Sequence, residues 1–375
     1  MAPHQPLDDR EKEVMRSLRF SRLLIPILIG IGVVGYLLWD QFDPEEFAKI
    51  QWRLHTLVWI LIAFGFVVVR HIVYALRLYI LSDKFFSFRK CIELIFIWEF
   101  SSAITPTSFG GTAVALFLFS RERLPLARTA SIIIYTVVLD TAVFLVLLPL
   151  LFLFFGTSII RPDMTHFFDL DGWGVTFLVS LLVMLGYASF FWYGLFRNPG
   201  QFRRILVMLT FNRFLRRFRP GAVQLGNDII LASRDLARHS RRFHLLAFIY
   251  TLLAWSCRFL VVNALIIAIV PGGYGGLTDQ LEIFGRQMAM YVIMAFSPTP
   301  GGAGLAEIVF DGFLSDFVPT GISLIIAFLW RLLTYYSYLF AGAIVVPAWL
   351  QGHIHLRRKR MEIPEPEEER SRDDE

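Results

Sequence analysis

The sequence predicts an all-α polytopic membrane protein, with about six full spans plus two re-entrant helical hairpins arranged as an inverted repeat. Three observations carry that prediction: an apolar excess that no soluble core could hide, a lopsided distribution of Lys and Arg, and two Pro/Gly-rich breaks at matching places in the two halves. Of 375 residues, 56% are hydrophobic and 18% charged, against ~45–50% and ~25% in a typical soluble domain. Apolar stretches at 23–38, 57–69, 142–155, 177–191 and 245–270 hold too few charges for a water-facing surface. Several approach or exceed the ~20 residues that cross a bilayer as helix. The ten-residue alternation of an outer-membrane barrel is missing, so the spans are expected to be helical.

Composition also excludes function classes. The two cysteines, Cys91 and Cys257, lie in or beside apolar segments, which leaves no disulfide framework or multi-cysteine metal site. The eight histidines form no HExxH-like cluster, so no metal and no cofactor is expected. The net charge of +5 would hint at nucleic acid in a soluble chain, but here its distribution over loops reports topology, and no nucleic-acid partner is expected.

At the N-terminus, residues 1–19 are expected as a cytoplasmic segment. Arg10, Lys12, Arg16, Arg19 and Arg22 precede an apolar run to Leu38, followed by Trp39, Asp40 and Gln41 instead of a small-residue cleavage site. This reads as a retained first span of an integral membrane domain covering 20–352. Residues 353–375 form a charged cytoplasmic tail, acidic towards its end and disordered by composition.

The basic residues set the topology. The N-terminal flank holds five Lys and Arg, 84–90 three, 121–128 three, 197–242 eleven and the tail six, which is 28 of the 36. The connections at 40–53, 156–173, 271–279 and 314–319 hold only Lys49, Arg53 and Arg161. The positive-inside rule places the first set, and with it both termini, in the cytoplasm. A bacterial-type cytoplasmic (inner) membrane is the expected location.

Two basic connections, 84–90 and 121–128, lie only about 30 residues apart, too close for two ordinary spans. The stretch between them is broken by Thr105, Pro106, Thr107, Ser108, Phe109, Gly110, Gly111 and Thr112, a run of helix terminators. A re-entrant hairpin that enters from the cytoplasm and returns is the simplest solution. The shape recurs at Ser297, Pro298, Thr299, Pro300, Gly301, Gly302, Ala303 and Gly304, whose flanks are poor in Lys and Arg, so the second hairpin should enter from outside. Repeat 1 spans about 57–155 and repeat 2 about 245–349, joined by a basic cytoplasmic connection at 197–244. Gly111 to Asp140 and Gly302 to Arg331 are both 29 residues. Inverted repeats with broken helices meeting at mid-membrane are a recurring transporter design; the plainer alternative is that Pro and Gly kink ordinary spans.

Non-helical backbone at membrane depth must be enclosed by protein or line a wet cavity. The two tips are therefore expected to face each other or a shared cavity and to contact substrate, with hydroxyls from Thr105, Thr107, Ser108, Thr112, Ser297 and Thr299. Freed N–H groups after each break would present the positive ends of half-helices to an anion. Arg70, Arg77, Asp140, Arg258, Arg286, Glu307 and Arg331 are ionisable groups at membrane depth, which are expensive and often functional. Asp140 and Arg331 occupy matching positions, so a pair or shared network between them is expected. For each of these residues, charge pairing is the alternative to substrate contact. Five intramembrane arginines favour an anionic passenger.

These residues carry a family resemblance. Pro106 with Gly110 and Gly111, then Arg121, 126–130 and Asp140, are similar to one half of the pattern of the lysylphosphatidylglycerol synthase transmembrane region, also called the flippase-like domain. Ser297 to Glu307, followed by Arg331, Tyr335 and Gly342, resembles the other half; the likeness covers about 57–347. It implies an α-helical domain with re-entrant helices, in a family whose better understood members move aminoacylated phospholipid between leaflets. Full-length synthases carry a soluble aminoacyl-transferase domain after this region, and this chain reads as a stand-alone member, so the lipid-modifying activity is not carried over. The family often places an acidic residue near Gly111 or Thr112; Gly-Gly-Thr stands here, so headgroup selectivity is not carried over either.

Within the basic connection, Phe202, Ile205, Leu206 and Leu209 recur at helical spacing among arginines. Such a helix can lie in the headgroup plane and attract anionic lipid; a solvated topogenic loop is the alternative. The expected function is that of a lipid transporter or flippase for an anionic or modified lipid, aminoacyl or isoprenoid-phosphate-linked, and not that of an enzyme. No P-loop is present to supply energy. Two alternatives remain: an accessory membrane subunit of an envelope lipid or glycan pathway, with a lipid- or glycan-modifying enzyme as partner, or a membrane-embedded transferase using Glu307, Asp140 or Glu99 as general base.

Overall fold

The computed structural model describes residues 44–50, 52–104, 126–160, 172–212, 215–270, 274–297 and 304–342, together with isolated positions between 115 and 124 and at 272, 299, 302, 344–346 and 348–349. The expected first span, the first break at 105–112 and the charged tail lie outside the described residues.

The described chain is helical, and local sequence explains where each helix starts and stops. A short helix α1 (Pro44–Lys49) precedes α2 (Leu54–Leu81). α2 ends at Ser82, whose N–H donates to the Leu78 carbonyl at 2.9 Å. Asp83 and Lys84 follow with positive φ of 49° and 60°, reversing the chain into α3 (Phe88–Ile104), where the Ser87 hydroxyl accepts from Lys90 N–H. α4 (Leu126–Phe155) is a single long helix despite Pro149. α5 (Gly172–Trp192) continues through a π-helical turn at Tyr193–Arg197. In α6 (Pro199–Leu209), Asn198 caps the Gln201 N–H at 2.9 Å and Pro199 occupies the first turn. α7 (Arg219–Leu236) leads to α8 (Arg241–Ile269), capped by Ser240. The second break separates α9 (Leu277–Met294) from α10 (Leu305–Leu314), before α11 (Thr320–Arg331) runs into a π-helical turn at Leu332–Tyr336.

Among the described residues, five helical segments are long and apolar enough to cross a membrane: Leu54–Leu81, Ser131–Ile159, Gly174–Arg197, Arg241–Ile269 and Gly321–Val346. The most extensive helix contact is α2 against α8. The outer faces of α2 and α5 expose Leu57, Leu61, Phe64, Val68, Val179 and Leu182. A soluble helix turns such residues inward; here they form the lipid-facing surface.

The basic connections gather at one end. Asp83 contacts Arg128 at 2.9 Å and His239 at 3.0 Å, Lys90 contacts Glu122 at 2.7 Å, and Trp349 donates to Glu122 at 2.6 Å. The Lys90–Glu122 pair joins residues on either side of the stretch 91–121. Near the opposite end, Tyr274 donates to the Asp316 carbonyl at 3.0 Å, joining the stretches before α9 and after α10.

One helix crossing depends on a glycine. A Cβ built on Gly342 would stand 2.3 Å from the Phe100 ring and 2.4 Å from its Cβ, so no side-chain rotation relieves the clash. Gly342→Ala is expected to destabilise by about 1–3 kcal/mol, seen as a lowered melting temperature in detergent, and Phe100→Ala should not recover the loss, because alanine keeps the Cβ that stands 2.4 Å away.

Candidate functional site

The face of α2 that meets α8 carries Arg70, Tyr74 and Arg77, spaced four and three residues apart and therefore stacked on one helix face. The Tyr74 ring lies between the two guanidinium groups, 4.9 Å from Arg70 and 4.6 Å from Arg77. Each arginine then finds a carboxylate on a neighbouring helix of the same repeat. Nη2 of Arg70 lies 2.8 Å from both oxygens of Glu99 on α3. Nη1 of Arg77 lies 2.6 Å from Asp140 on α4. α8 supports the second pair, since Thr251 accepts from Arg77 at 3.2 Å and the Trp255 indole N–H donates to Asp140 at 3.2 Å.

The second break supplies a third pair. Gly302 and Gly304 have φ of 72° and 83°, a region open to glycine at little cost, and they turn the chain into α10. The Glu307 carboxylate reaches back to the Gly304 N–H at 2.8 Å, placing its charge at the positive end of the helix. Its other oxygen lies 3.5 Å from Nε of Arg331, whose guanidinium stands 4.0 Å from the Tyr335 ring centre. Before the turn, the hydroxyls of Ser297 and Thr299 lie 2.9 Å apart.

These groups surround a cavity of about 290 Å³, lined by Arg77, Glu99, Asp140, Arg258, Ser297, Thr299, Gly302 and Arg331 with Tyr74, Trp98, Tyr187, Trp255, Tyr291, Tyr335 and Tyr338. Its wall draws on residues of both 57–155 and 245–349, two stretches also stitched by polar contacts outside the charge pairs. His71 lies 3.3 Å from the Tyr338 hydroxyl, and Tyr335 donates to the Ala103 carbonyl at 3.2 Å.

Asp140 and Arg331 share the cavity but do not pair with each other: Arg77 is the closer cation to Asp140, and Glu307 is the carboxylate at Arg331. Arg286 is not part of the cavity wall. It is held by Glu282 at 2.8 Å, Asp316 at 2.9 Å and the Phe313 carbonyl at 3.2 Å, where it braces α9 against the end of α10. Thr105, Pro106, Thr107, Ser108, Gly110, Gly111, Thr112, Pro298, Pro300 and Gly301 lie outside the described residues. The aromatic wall escaped sequence reading, although Tyr74 midway between two arginines and Trp255 three residues before Arg258 were available signals.

Among the described residues, no group of three or more His, Cys, Asp and Glu side chains is placed to hold a metal ion. The cavity instead offers guanidinium groups, hydroxyls and aromatic faces, a set suited to binding and orienting a charged headgroup.

Comparison with known proteins places this geometry in a family context. The family model described as the lysylphosphatidylglycerol synthase TM region matches residues 23–342. A UPF0104 membrane protein of Archaeoglobus fulgidus is 27% identical over 344 residues, covering 86% of this chain and 95% of the relative. No solved structure matches the chain.

The Arg77–Asp140 pair yields a direct test. Breaking a buried pair on one side costs about 3–5 kcal/mol, because a charge is left uncompensated, whereas replacing both partners costs less. Arg77→Met and Asp140→Leu should each lower thermal stability more than the double replacement Arg77→Met/Asp140→Leu, measured as a double-mutant cycle by unfolding in detergent.

Proposed function

The chain belongs to the lysylphosphatidylglycerol synthase transmembrane-region family, and from that premise we propose that this integral membrane protein moves an anionic or modified lipid between leaflets. The lipid would carry an aminoacyl or an isoprenoid-phosphate-linked headgroup. The observation that carries the reading is the cavity whose charged wall is shared by two halves, with the second Pro/Gly-rich break at its edge. Its volume suits a headgroup while the acyl chains stay in the bilayer. Rocking of one half against the other, about the α2–α8 contact, would alternate access to the two sides.

The flanking features fit the same reading. The basic connections that gather at one end would face the cytoplasm, with both termini on that side and both broken segments re-entrant. α6 turns Phe202 inward while exposing Ile205, Met208 and Leu209, and Phe211 and Phe218 follow, also exposed. With arginines between them, these residues would lie at the interface and attract anionic headgroups. A lipid- or glycan-modifying enzyme would supply or consume the transported lipid. The transferase alternative has less support: Glu99, Asp140 and Glu307 are each associated with an arginine, whereas a general base needs a carboxylate free to take a proton.

Purified protein reconstituted in liposomes with fluorescent anionic, aminoacylated and polyprenyl-phosphate lipids should accelerate leaflet exchange of at least one of them over empty vesicles. No acceleration for any lipid of the panel removes the transporter reading. Orientation is read separately. With Cys91 and Cys257 replaced, cysteines at Lys84 and Asp279 should be labelled from the cytoplasmic and outer faces respectively, and labelling of both from one face would reject the topology.

A further inference from the structure

The charged residues of the cavity wall do not balance. Arg77, Arg258 and Arg331 line it against two carboxylates, Glu99 and Asp140. Adding the partners set just behind the wall, Arg70 for Glu99 and Glu307 for Arg331, leaves the same surplus of one positive charge. The surplus falls on Arg258. Among the described residues, its guanidinium has no ion pair and no hydrogen bond; it stands 5.4 Å from the Trp255 ring and 4.9 Å from the Tyr291 ring. Glu99 is within electrostatic reach, but both of its oxygens already lie 2.8 Å from Arg70 Nη2.

Arg258 is only partly buried, so N–H donors without a protein partner open onto the cavity, where an anionic ligand can complete them. Two aromatic faces fix its position, but they leave the in-plane donors unused. Those donors match the oxygens of a phosphate.

We propose that Arg258 is the anion-binding residue of the cavity, and that the cavity selects a singly charged phosphodiester over a doubly charged phosphomonoester or a headgroup of no net charge. The proposal rests on the transporter reading for its biological meaning and narrows it: of the two headgroups named above, it favours the isoprenoid-phosphate-linked phosphodiester over the aminoacyl one, which brings an ammonium. A monoanion neutralises the wall. A dianion leaves one negative charge uncompensated, and a zwitterion brings an ammonium group that the arginines repel. Arg77 and Arg331 add little to selection, because each already has a carboxylate beside it.

The test is equilibrium binding to the full-length protein in detergent, read by quenching of Trp255 and its neighbouring tryptophans. The probes share short acyl chains and differ in headgroup: a phosphatidylglycerol-type phosphodiester, a phosphatidate at pH 9 and a phosphatidylcholine. Dimethyl phosphate, which has no acyl chains, separates a lipid site from a site for small phosphates. The phosphodiester lipid should bind about tenfold or more tightly than the other two lipids. Arg258→Gln should abolish that preference, and Arg258→Lys, which keeps the charge but loses the planar fork, should keep it at reduced affinity.

Equal binding of the three lipids by the unaltered protein overturns the proposal, even if Arg258→Gln does not fold. So does an unchanged preference in a folded Arg258→Gln. Equal affinity for dimethyl phosphate would keep the monoanion site but assign it to small phosphates. Leaflet exchange is read independently. Exchange without charge selection overturns the site alone, and charge selection without exchange overturns transport alone.

Discussion

The arrangement of this protein follows from the cost of holding guanidinium groups among apolar helices. An isolated charge loses its hydration there, and only a well-placed counter-charge with additional hydrogen bonds offsets the loss. Arg70 with Glu99, Arg77 with Asp140 and Arg331 near Glu307 each join two elements of one half. Helix positions in each half are therefore tied to charge pairs and not to apolar packing alone. The links between halves are of another kind: hydroxyl and indole hydrogen bonds to the Arg77–Asp140 pair from α8, the His71–Tyr338 contact, and Tyr335 on the Ala103 carbonyl.

That division has a mechanical consequence. Charge pairs buried within a half cost about 3–5 kcal/mol to break on one side. A neutral hydrogen bond contributes about 1 kcal/mol, and one to a charged partner, as with Thr251 and Trp255, about 1.5–3 kcal/mol. If the halves shift against each other, the weaker set is the one that would exchange partners. Aromatic rings suit the boundary for the same reason. Tyr74, Trp255, Tyr291 and Tyr335 each lie against a guanidinium, and such contacts tolerate small displacements better than a bidentate salt bridge does.

The second break shows how local backbone and distant charge cooperate. Two glycines with positive φ turn the chain into α10, whose exposed N–H groups carry partial positive charge. Glu307, in the first turn of that helix, satisfies one of them and places its remaining oxygen near Arg331. The glycines, the glutamate and the arginine 24 residues later thus act as one unit, which explains why they stand out together in the sequence. Sequence reading took Glu307 and Arg331 as separate candidates and matched Arg331 with Asp140 by spacing. Both residues line one cavity, but equal spacing along the chain does not specify which neighbour lies within 4 Å.

Much was decided by the sequence alone. Composition determined the membrane class, the apolar runs the long helices, and the Pro/Gly clusters the second break, because these depend on local conformational preference and transfer from water. The sequence also marked which ionisable residues stand among apolar helices, since charge is scarce and conspicuous there. Tertiary structure decided their roles. Arg286, like Arg258 an arginine within an apolar segment, is held by two acids and a carbonyl near the end of the bundle, while Arg258 lines the cavity beside two rings. The two look equivalent along the chain because pairing energies fall steeply with distance, and distance between helices is set only when they pack.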